Sequence, residues 1–383
     1  MTYARIRNIL QEITDRIETL HLPYEEEFRT QLKYLENHER HIIRDFFLAQ
    51  EWNLGSTKVL AALRATGILI TSEYILRLHS KELIQRVMND LLEAEHTLLA
   101  ELISYSYLGT DISVELSQIV NETISLALDD LIENPDIVSC NYLQHVRQFL
   151  ESDEIYKLRQ QHLTLLLQKG PNNDLERSIP LQTEWRQQGK ELDSSIFCQI
   201  LKEVIKDKDQ TLETMFSFCK KRDNVSWRFF LQILRLVSIN IGNDKVEILR
   251  IKGFLKELFG EMVDTMNFDL FLLLIAIVRE ISSANESVVG KYSSWYKTTL
   301  GEMSYRFSKE QFVGVLGMMT RLVPLETDSE MLTVHINISI SAPPKCMELV
   351  VTYKQMCRAH LTKLNLDMSK DNQDMDVSIV IDD

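Results

Sequence analysis

The chain has 383 residues, of which 45% are hydrophobic and 26% charged, and this ordinary globular balance excludes a disordered polymer. Its formal net charge of −14 argues against a protein that grips nucleic acid over its whole surface, because phosphate binding needs clustered lysine and arginine. Only 12 glycines and 7 prolines are present, so the secondary-structure elements are expected to be long. The surplus of leucine, glutamate, glutamine and lysine predicts that these elements are α-helices.

The first predicted helix ends at Pro23 and carries one apolar stripe along an otherwise polar surface. The stripe follows the i, i+3, i+4 spacing of a single helix face. We expect this face to contact a partner protein, since an open helical array leaves such stripes uncovered. The stripe consists of Ile6, Ile9, Leu10, Ile13 and Ile17.

Further helices are predicted through the rest of an N-terminal helical half, residues 1–170. One long helix is expected from Tyr24 to Gln50, followed by a break at Asn53–Thr57. Shorter helices are expected over 58–65, 80–107, 113–132, 136–150 and 152–170. Residues 171–193 combine proline, glycine and asparagine without apolar periodicity, which predicts a linker or long loop.

A C-terminal helical half is predicted over residues 194–330. The apolar run Leu270–Val278 has nine residues, too few to cross a membrane, and predicts a helix buried on all sides. Ser308 and Gln311 have the spacing of a capping box. Helix starts recur about every 15 to 25 residues, which is typical of a HEAT-like α-solenoid, although an irregular helical bundle has the same rhythm. The helices are expected at 194–207, 210–221, 225–240, 244–259, 268–283, 287–300 and 308–322.

The last segment, residues 331–383, is expected to form a strand–helix–strand cap with an acidic tail. Residues 332–341 alternate β-branched and polar side chains, a period of two that predicts a strand, and a helix is expected from Lys345 to Leu364. The tail "DMDVSIVIDD" can pair with that strand in a small β ribbon. Alternatively it can bind SUMO by strand addition, with its acidic residues against a basic rim. The residues of this SUMO-interacting tail are Val377, Ser378, Ile379, Val380, Asp382 and Asp383.

No motif for a reaction centre is present in the sequence. It contains no P-loop, no G-x-G-x-x-G and no G-x-S-x-G, and its histidines and five cysteines are scattered. We therefore expect a protein that is not an enzyme and that holds no cofactor and no metal. Two basic segments, 220–222 and 245–256, keep nucleic-acid binding open as an alternative function. Their basic residues are Lys220, Lys221, Arg222, Lys245, Arg250, Lys252 and Lys256.

Two long segments, Tyr24–Gly67 and Asn267–Val323, carry a resemblance to a known family. They resemble the C-terminal helical region of the SUMO-interacting-motif proteins that help to localise the SMC five–six complex, which are related to the HEAT-like non-SMC loader subunits. The resemblance implies a non-catalytic adaptor that forms a heterodimer with another helical-repeat protein. It further implies targeting of an SMC complex to chromatin, nuclear bodies or viral and episomal DNA, and contact with nucleic acid only through that complex. The expected location is the nucleus, with the cytoplasm as a second site, and no membrane is involved.

Overall fold

The computed structural model describes residues 2–19, 25–108, 110–137, 141–170, 174–222 and 224–376. Within these ranges the secondary structure is helical and contains no strand, so the predicted all-α class is confirmed. No helix in them has the length and apolar character that a bilayer crossing requires. The chain forms two compact units, the first made of Met1–Leu165 with Ser194–Val204 and the second of Leu166–Asp193 with Ile205–Asp383.

The first unit is built mainly from the N-terminal helices. These helices are α1 (Thr2–Glu18), α2 (Glu25–Lys33), α3 (Asn37–Leu48), α4 (Ser56–Ala65), α5 (Thr71–Leu76), α6 (Lys81–Ala94), α7 (His96–Ser106), α8 (Asp111–Glu133), α9 (Tyr142–Val146) and α10 (Ser152–Leu167). In the core of the unit α7 packs against α5, α6, α8 and α9, and α1 packs against α3 and α4.

The remaining helices belong to the second unit, except α12 (Ile196–Val204), which belongs to the first unit and packs on α8 and α9. They are α11 (Leu175–Glu191), α12 (Ile196–Val204), α13 (Lys208–Lys221), α14 (Trp227–Ile241), α15 (Lys245–Thr265), α16 (Phe268–Ala284), α17 (Glu286–Val289), α18 (Tyr292–Tyr296), α19 (Lys309–Leu322), α20 (Ser329–Asn337) and α21 (Met347–Asp376).

Helix α16 is the centre of the second unit. It packs against α11, α14, α15, α17, α18 and α19, and every residue from Leu270 to Ser282 is buried. The side chain of Asn267 accepts a hydrogen bond from the Leu270 backbone N–H at 3.1 Å and starts the helix. The prediction of a helix buried on all sides is confirmed.

Local capping signals account for two further boundaries. Ser308 and Gln311 form the predicted reciprocal capping box at the start of α19, with bonds of 3.0 and 3.2 Å. The helix predicted from Tyr24 to Gln50 is instead two helices, α2 and α3. The guanidinium of Arg40 donates to the carbonyl of Lys33 at 3.2 Å and to that of Leu35 at 3.1 Å, and thereby satisfies the end of α2.

The linker predicted at 171–193 is wrong over its described part, because residues 175–191 form α11. The side chain of Asp174 accepts a hydrogen bond from the Arg177 N–H at 2.8 Å and begins the helix in spite of Pro180 six residues later. Packing on α14 and α16 then supports it, and the Gln182 amide donates to the carbonyl of Ala276 at 2.8 Å. Tertiary contacts thus outweigh the breaker residues.

The β ribbon is not supported. Residues 329–337, which include most of the predicted strand 332–341, form α20. The carboxylate of Asp328 accepts from the N–H groups of Glu330 and Met331 at 2.9 and 3.3 Å, and the helix buries Leu332 and His335 against α21. This packing overrides the β-branched alternation. The second predicted strand, 377–383, lies outside the described residues, while the predicted final helix is present as α21.

Candidate functional site

Helix α15 has a buried face and an open face. Phe254 and Leu258 are buried, and the helix packs against α16. Lys252 and Lys256 are exposed, and one to two turns earlier Val246 and Leu249 are also exposed, by 72% and 68%. Large aliphatic side chains this exposed raise the question of what covers them. The open face of α15 therefore combines positive charge with apolar surface.

A second wall stands opposite α15 and comprises α17, α18, a π-helical turn at Lys297–Gly301 and Arg306. Tyr292 and Tyr296 of α18 are buried, whereas Trp295 between them is half-buried and lines the space beside α15. The ring of Trp295 stacks on that of Tyr292, with centroids 5.9 Å apart. The buried Tyr292 thus supports one face of the half-buried tryptophan.

A buried hydrogen-bond network holds α18 in place. The hydroxyl of Tyr292 lies 2.9 Å from Nε2 of His335, and the hydroxyl of Tyr353 lies 2.8 Å from Nδ1 of the same ring. Burial lowers the pKa of His335 well below its usual value, so the ring is neutral and one tyrosine donates while the other accepts. The hydroxyls of Tyr353 and Tyr296 are 3.2 Å apart. Helices α18, α20 and α21 are joined through this network.

A buried ion pair adds to the same wall. Arg279 of α16 pairs with Glu326, and both side chains are at least 97% buried. Burial is the largest single influence and lowers the pKa of Arg279, but the Glu326 carboxylate and Tyr292 together outweigh it, so the pKa of Arg279 is raised. The guanidinium also lies 5.6 Å from the ring centroid of Tyr292. Through these contacts α16 helps to position α18.

Between the two walls lies a cleft of about 460 Å³, which we call the α15–α18 cleft. In the part of the chain that the structure describes, three cations line it, Lys252, Lys256 and Arg306, and no aspartate or glutamate does. Arg306 is anchored because its guanidinium donates to the carbonyls of Thr298 and, at 3.0 Å, Thr299. The rest of the lining is mainly apolar and consists of Leu255, Phe259, Leu274, Val288, Val289 and Trp295 with Ser287, Gly290 and Thr299.

The predicted basic patch is only partly collected at this cleft. Lys252 and Lys256 line it, but Arg222 pairs with Glu261 at 3.0 Å and Lys220 lies 4.0 Å from Glu257. Arg250 pairs with Asp209 and is 4.0 Å from Glu213. Lys221 and Lys245 are exposed outside the cleft lining. The predicted patch is therefore not one continuous cationic surface, because carboxylates on α13 and α15 neutralise part of it.

The apolar stripe of α1 is largely covered by the chain itself. Ile9, Ile13 and Ile17 are at most 3% exposed in a helix that packs on α3 and α4. The prediction of a partner-facing stripe is wrong for these three side chains, since they belong to the core of the first unit. Ile6 and Leu10 are half-buried, and for them partner contact stays a prediction. The predicted SUMO-interacting tail, Val377–Asp383, lies outside the described residues.

Of the lining residues only Lys252 and Lys256 were predicted from the sequence as site residues, whereas the aromatic Phe259 and Trp295 and the cationic Arg306 were not. The segment Lys291–Phe307 is rich in aromatic residues, and this was the only feature of the sequence that pointed to Trp295 and Arg306. Nothing in the sequence indicated that it lies beside α15, which is roughly 40 residues earlier in the chain.

The described residues define the class: an all-α protein with a mainly apolar cleft lined by three cations. The model of one family, described as Fanconi anaemia group A protein N terminus, matches residues 21–367. The chain belongs to this family. The searches of curated proteins and of solved structures found no match to this chain.

Proposed function

We propose that this protein is a non-catalytic helical scaffold that works by binding another polypeptide at the open face of α15 and the adjoining α15–α18 cleft. One observation carries the proposal: Val246 and Leu249 are exposed aliphatic residues of α15, the same helix that forms one wall of a mainly apolar cleft. Burying exposed aliphatic surface is the main favourable term in protein association. A second polypeptide that covers this face would be stabilised in the complex by burial of these aliphatic side chains.

The finer parts of the proposal rest on the resemblance of Tyr24–Gly67 and Asn267–Val323 described above. According to this resemblance the partner is another helical-repeat protein. The two proteins together direct an SMC-type complex to chromatin, nuclear bodies or viral and episomal DNA in the nucleus. The family match does not bear on these parts, and they stay predictions. SUMO binding by the tail stays a prediction as well.

The experiment that tests the scaffold function is co-purification from cells of origin followed by light scattering on the isolated complex. The variant Val246→Asp with Leu249→Asp is compared with a matched control, Leu54→Asp with Val114→Asp, which places two aspartates at similarly exposed sites of the first unit. We expect a stable heteromeric complex with the wild-type chain and the control, and its loss with the α15 variant.

Two results contradict the proposal. One is recovery of the wild-type chain as a lone monomer at micromolar concentration from extracts. The other is a complex that forms equally well with the α15 variant. Binding of labelled DNA with a steep dependence on salt, lost in Lys252→Glu with Lys256→Glu, supports the alternative nucleic-acid function instead.

A further inference from the structure

We propose that the α15–α18 cleft receives a short acidic segment of a partner protein, with one large apolar side chain of that segment seated between Trp295 and Phe259. This inference rests on the proposed scaffold function and names the chemistry of its partner at this site. It is carried by the charge of the cleft, the nature of its floor and the spacing of its cations.

The described residues do not compensate the charge of the two cleft lysines. Among the described residues neither Lys252 nor Lys256 has an ion-pair partner, while their basic neighbours Arg222 and Arg250 do. The whole chain carries a net charge of −14, so two lysines left unpaired beside an anchored Arg306 form a local exception. Positive charges at a cleft with apolar walls are screened less than on an open surface, and they attract an anionic ligand.

The floor of the cleft favours an amino-acid side chain as the occupant. Leu255, Leu274 and Val288 are buried aliphatic residues, and Phe259 and Trp295 are the aromatic ones. Apolar walls with a few charged groups at the mouth are typical of sites that anchor one large side chain and orient it by its polar neighbours.

The spacing of the cations fits a peptide with regularly placed carboxylates. Lys252 and Lys256 are four residues apart on α15, a rise of about 6 Å. In an extended peptide, side chains two residues apart lie on one face and are about 6.6 Å apart, so an acid–x–acid segment meets both lysines. From Val246 to Lys256 the helix rises about 15 Å, which about five extended residues cover. Gly253 lies on α15 between Val246 and Lys256, and the space that a side chain would fill there is open. A peptide backbone can therefore approach the helix closely at this position.

Single-stranded nucleic acid is the competing occupant, since it too combines negative charge with rings that stack on tryptophan. The observations favour the peptide. Among the described residues, the neighbouring Lys220 and Arg222 are paired with Glu257 and Glu261, so the three cations of the cleft do not continue into a longer cationic track that a phosphate chain would follow. The aliphatic floor also gives a base no hydrogen-bond partner.

The test is a selection from a random dodecapeptide library displayed on phage, using the purified full chain as bait. The enriched peptide is then synthesised with a fluorescein label and its affinity measured by anisotropy. We expect two or more acidic residues around a leucine, phenylalanine or tryptophan. We expect at least tenfold weaker binding to Lys252→Glu with Lys256→Glu, and weaker binding as salt is raised.

Two controls separate the site from general effects. The variant Lys190→Glu with Lys363→Glu makes the same charge change at exposed positions of α11 and α21 and is expected to bind within twofold of wild type. Binding should also change the tryptophan emission of the wild-type chain, and Trp295→Phe should remove that change while thermal unfolding stays cooperative.

The inference is overturned if the enriched peptides lack acidic residues or bind the double lysine variant unchanged. It is also overturned if a labelled oligothymidine displaces the peptide with higher affinity, or if a synthetic peptide of residues 370–383 binds the cleft more tightly, since the occupant is then nucleic acid or the chain's own tail. Absence of peptide binding together with an α15-dependent protein complex ends this inference and leaves the scaffold function intact.

Discussion

Arg279 and Glu326 show how a single buried contact supports the candidate site. Their side chains are 3% and 2% exposed, and the guanidinium also lies near Tyr292 of α18. A buried ion pair adds little to the free energy of unfolding compared with apolar residues of similar volume. Removing one partner, however, leaves the other charge buried and uncompensated. The pair is therefore a sensitive point of the second unit.

We predict that Glu326→Gln lowers the free energy of unfolding by about 3–5 kcal/mol, because Arg279 then stays buried without its counter-charge. Urea unfolding followed by circular dichroism measures the effect. Glu176→Gln is the matched control: Glu176 pairs with Arg321 at 3.3 Å, but the two side chains are 49% and 60% exposed. The control should cost less than about 1 kcal/mol. Equal effects of the two substitutions would show that the Arg279 charge is not buried as described.

His162 gives the first unit a dependence on pH. The side chain is fully buried, its Nδ1 lies 2.7 Å from the Leu158 carbonyl oxygen, and its Nε2 contacts the hydroxyl of Tyr142. Burial lowers the pKa of His162 from 6.5 to about 4, and the Leu158 carbonyl opposes this only in part. Between these values the unfolded chain binds a proton that the folded chain does not, so stability is lost as the pH falls.

We predict that this histidine alone removes about 1.4 kcal/mol of stability per pH unit as the pH falls from 6.5 towards 4. The variant His162→Gln should lack this contribution, because glutamine does not titrate. The measurement is the free energy of unfolding of both proteins at several pH values, and their difference is the quantity of interest. Parallel curves for the two proteins over this range would contradict the prediction.

At the scale of the elements, the approach of α4 to α1 depends on one glycine. The N–H of Gly55 donates to the Ile17 carbonyl at 3.0 Å, and a Cβ at Gly55 would lie 1.7 Å from the carbonyl oxygen of Arg16. Backbone atoms cannot yield to a side chain as a flexible side chain can. The start of α4 is therefore held against the end of α1 by the absence of a side chain.

We predict that Gly55→Ala destabilises the protein by at least about 2 kcal/mol, because α4 must move away from α1. Gly260→Ala is the matched control, since Gly260 lies inside α15 with no atom within 4 Å of an added Cβ. There alanine should stabilise by about 0.5–1 kcal/mol, because it loses less backbone freedom on folding. Thermal unfolding of both variants gives the comparison, and a neutral Gly55→Ala would refute the close approach.

At the scale of the whole molecule, the division into two units differs from the predicted halves, 1–170 and 194–330. The segment Ser194–Val204, which contains α12, belongs to the first unit. Glu203 of α12 pairs with Arg147 at 2.8 Å and with Arg159, and Phe197, Ile200 and Leu201 are among its buried residues. A boundary at residue 170 therefore removes part of the core of the first unit.

We predict that a fragment of residues 1–206 unfolds cooperatively, whereas a fragment of residues 1–170 is less stable by about 5 kcal/mol or more, because it loses the buried apolar side chains of α12. Urea unfolding and resistance to proteolysis measure the difference. Ile200→Asp in the longer fragment is the control and should bring it towards the shorter one, since Ile200 is completely buried. Two equally stable fragments would support the boundary read from the sequence.

The sequence by itself determined the features that depend on neighbouring residues. The all-α class, the buried helix around Leu270–Val278 and the capping box at Ser308 and Gln311 are set by helical period and by side chains within one turn of each other. These interactions are short in sequence, so they can be read from it directly.

Only the tertiary structure decided what depends on distant packing. Residues 175–191 and 329–337 are helical because α14, α16 and α21 cover them, against the local signals of proline and of β-branched alternation. The same holds for the candidate site, which joins Lys252 and Lys256 to Trp295 and Arg306. Its geometry arises from contacts between segments far apart in the chain, and no local pattern encodes which segments meet.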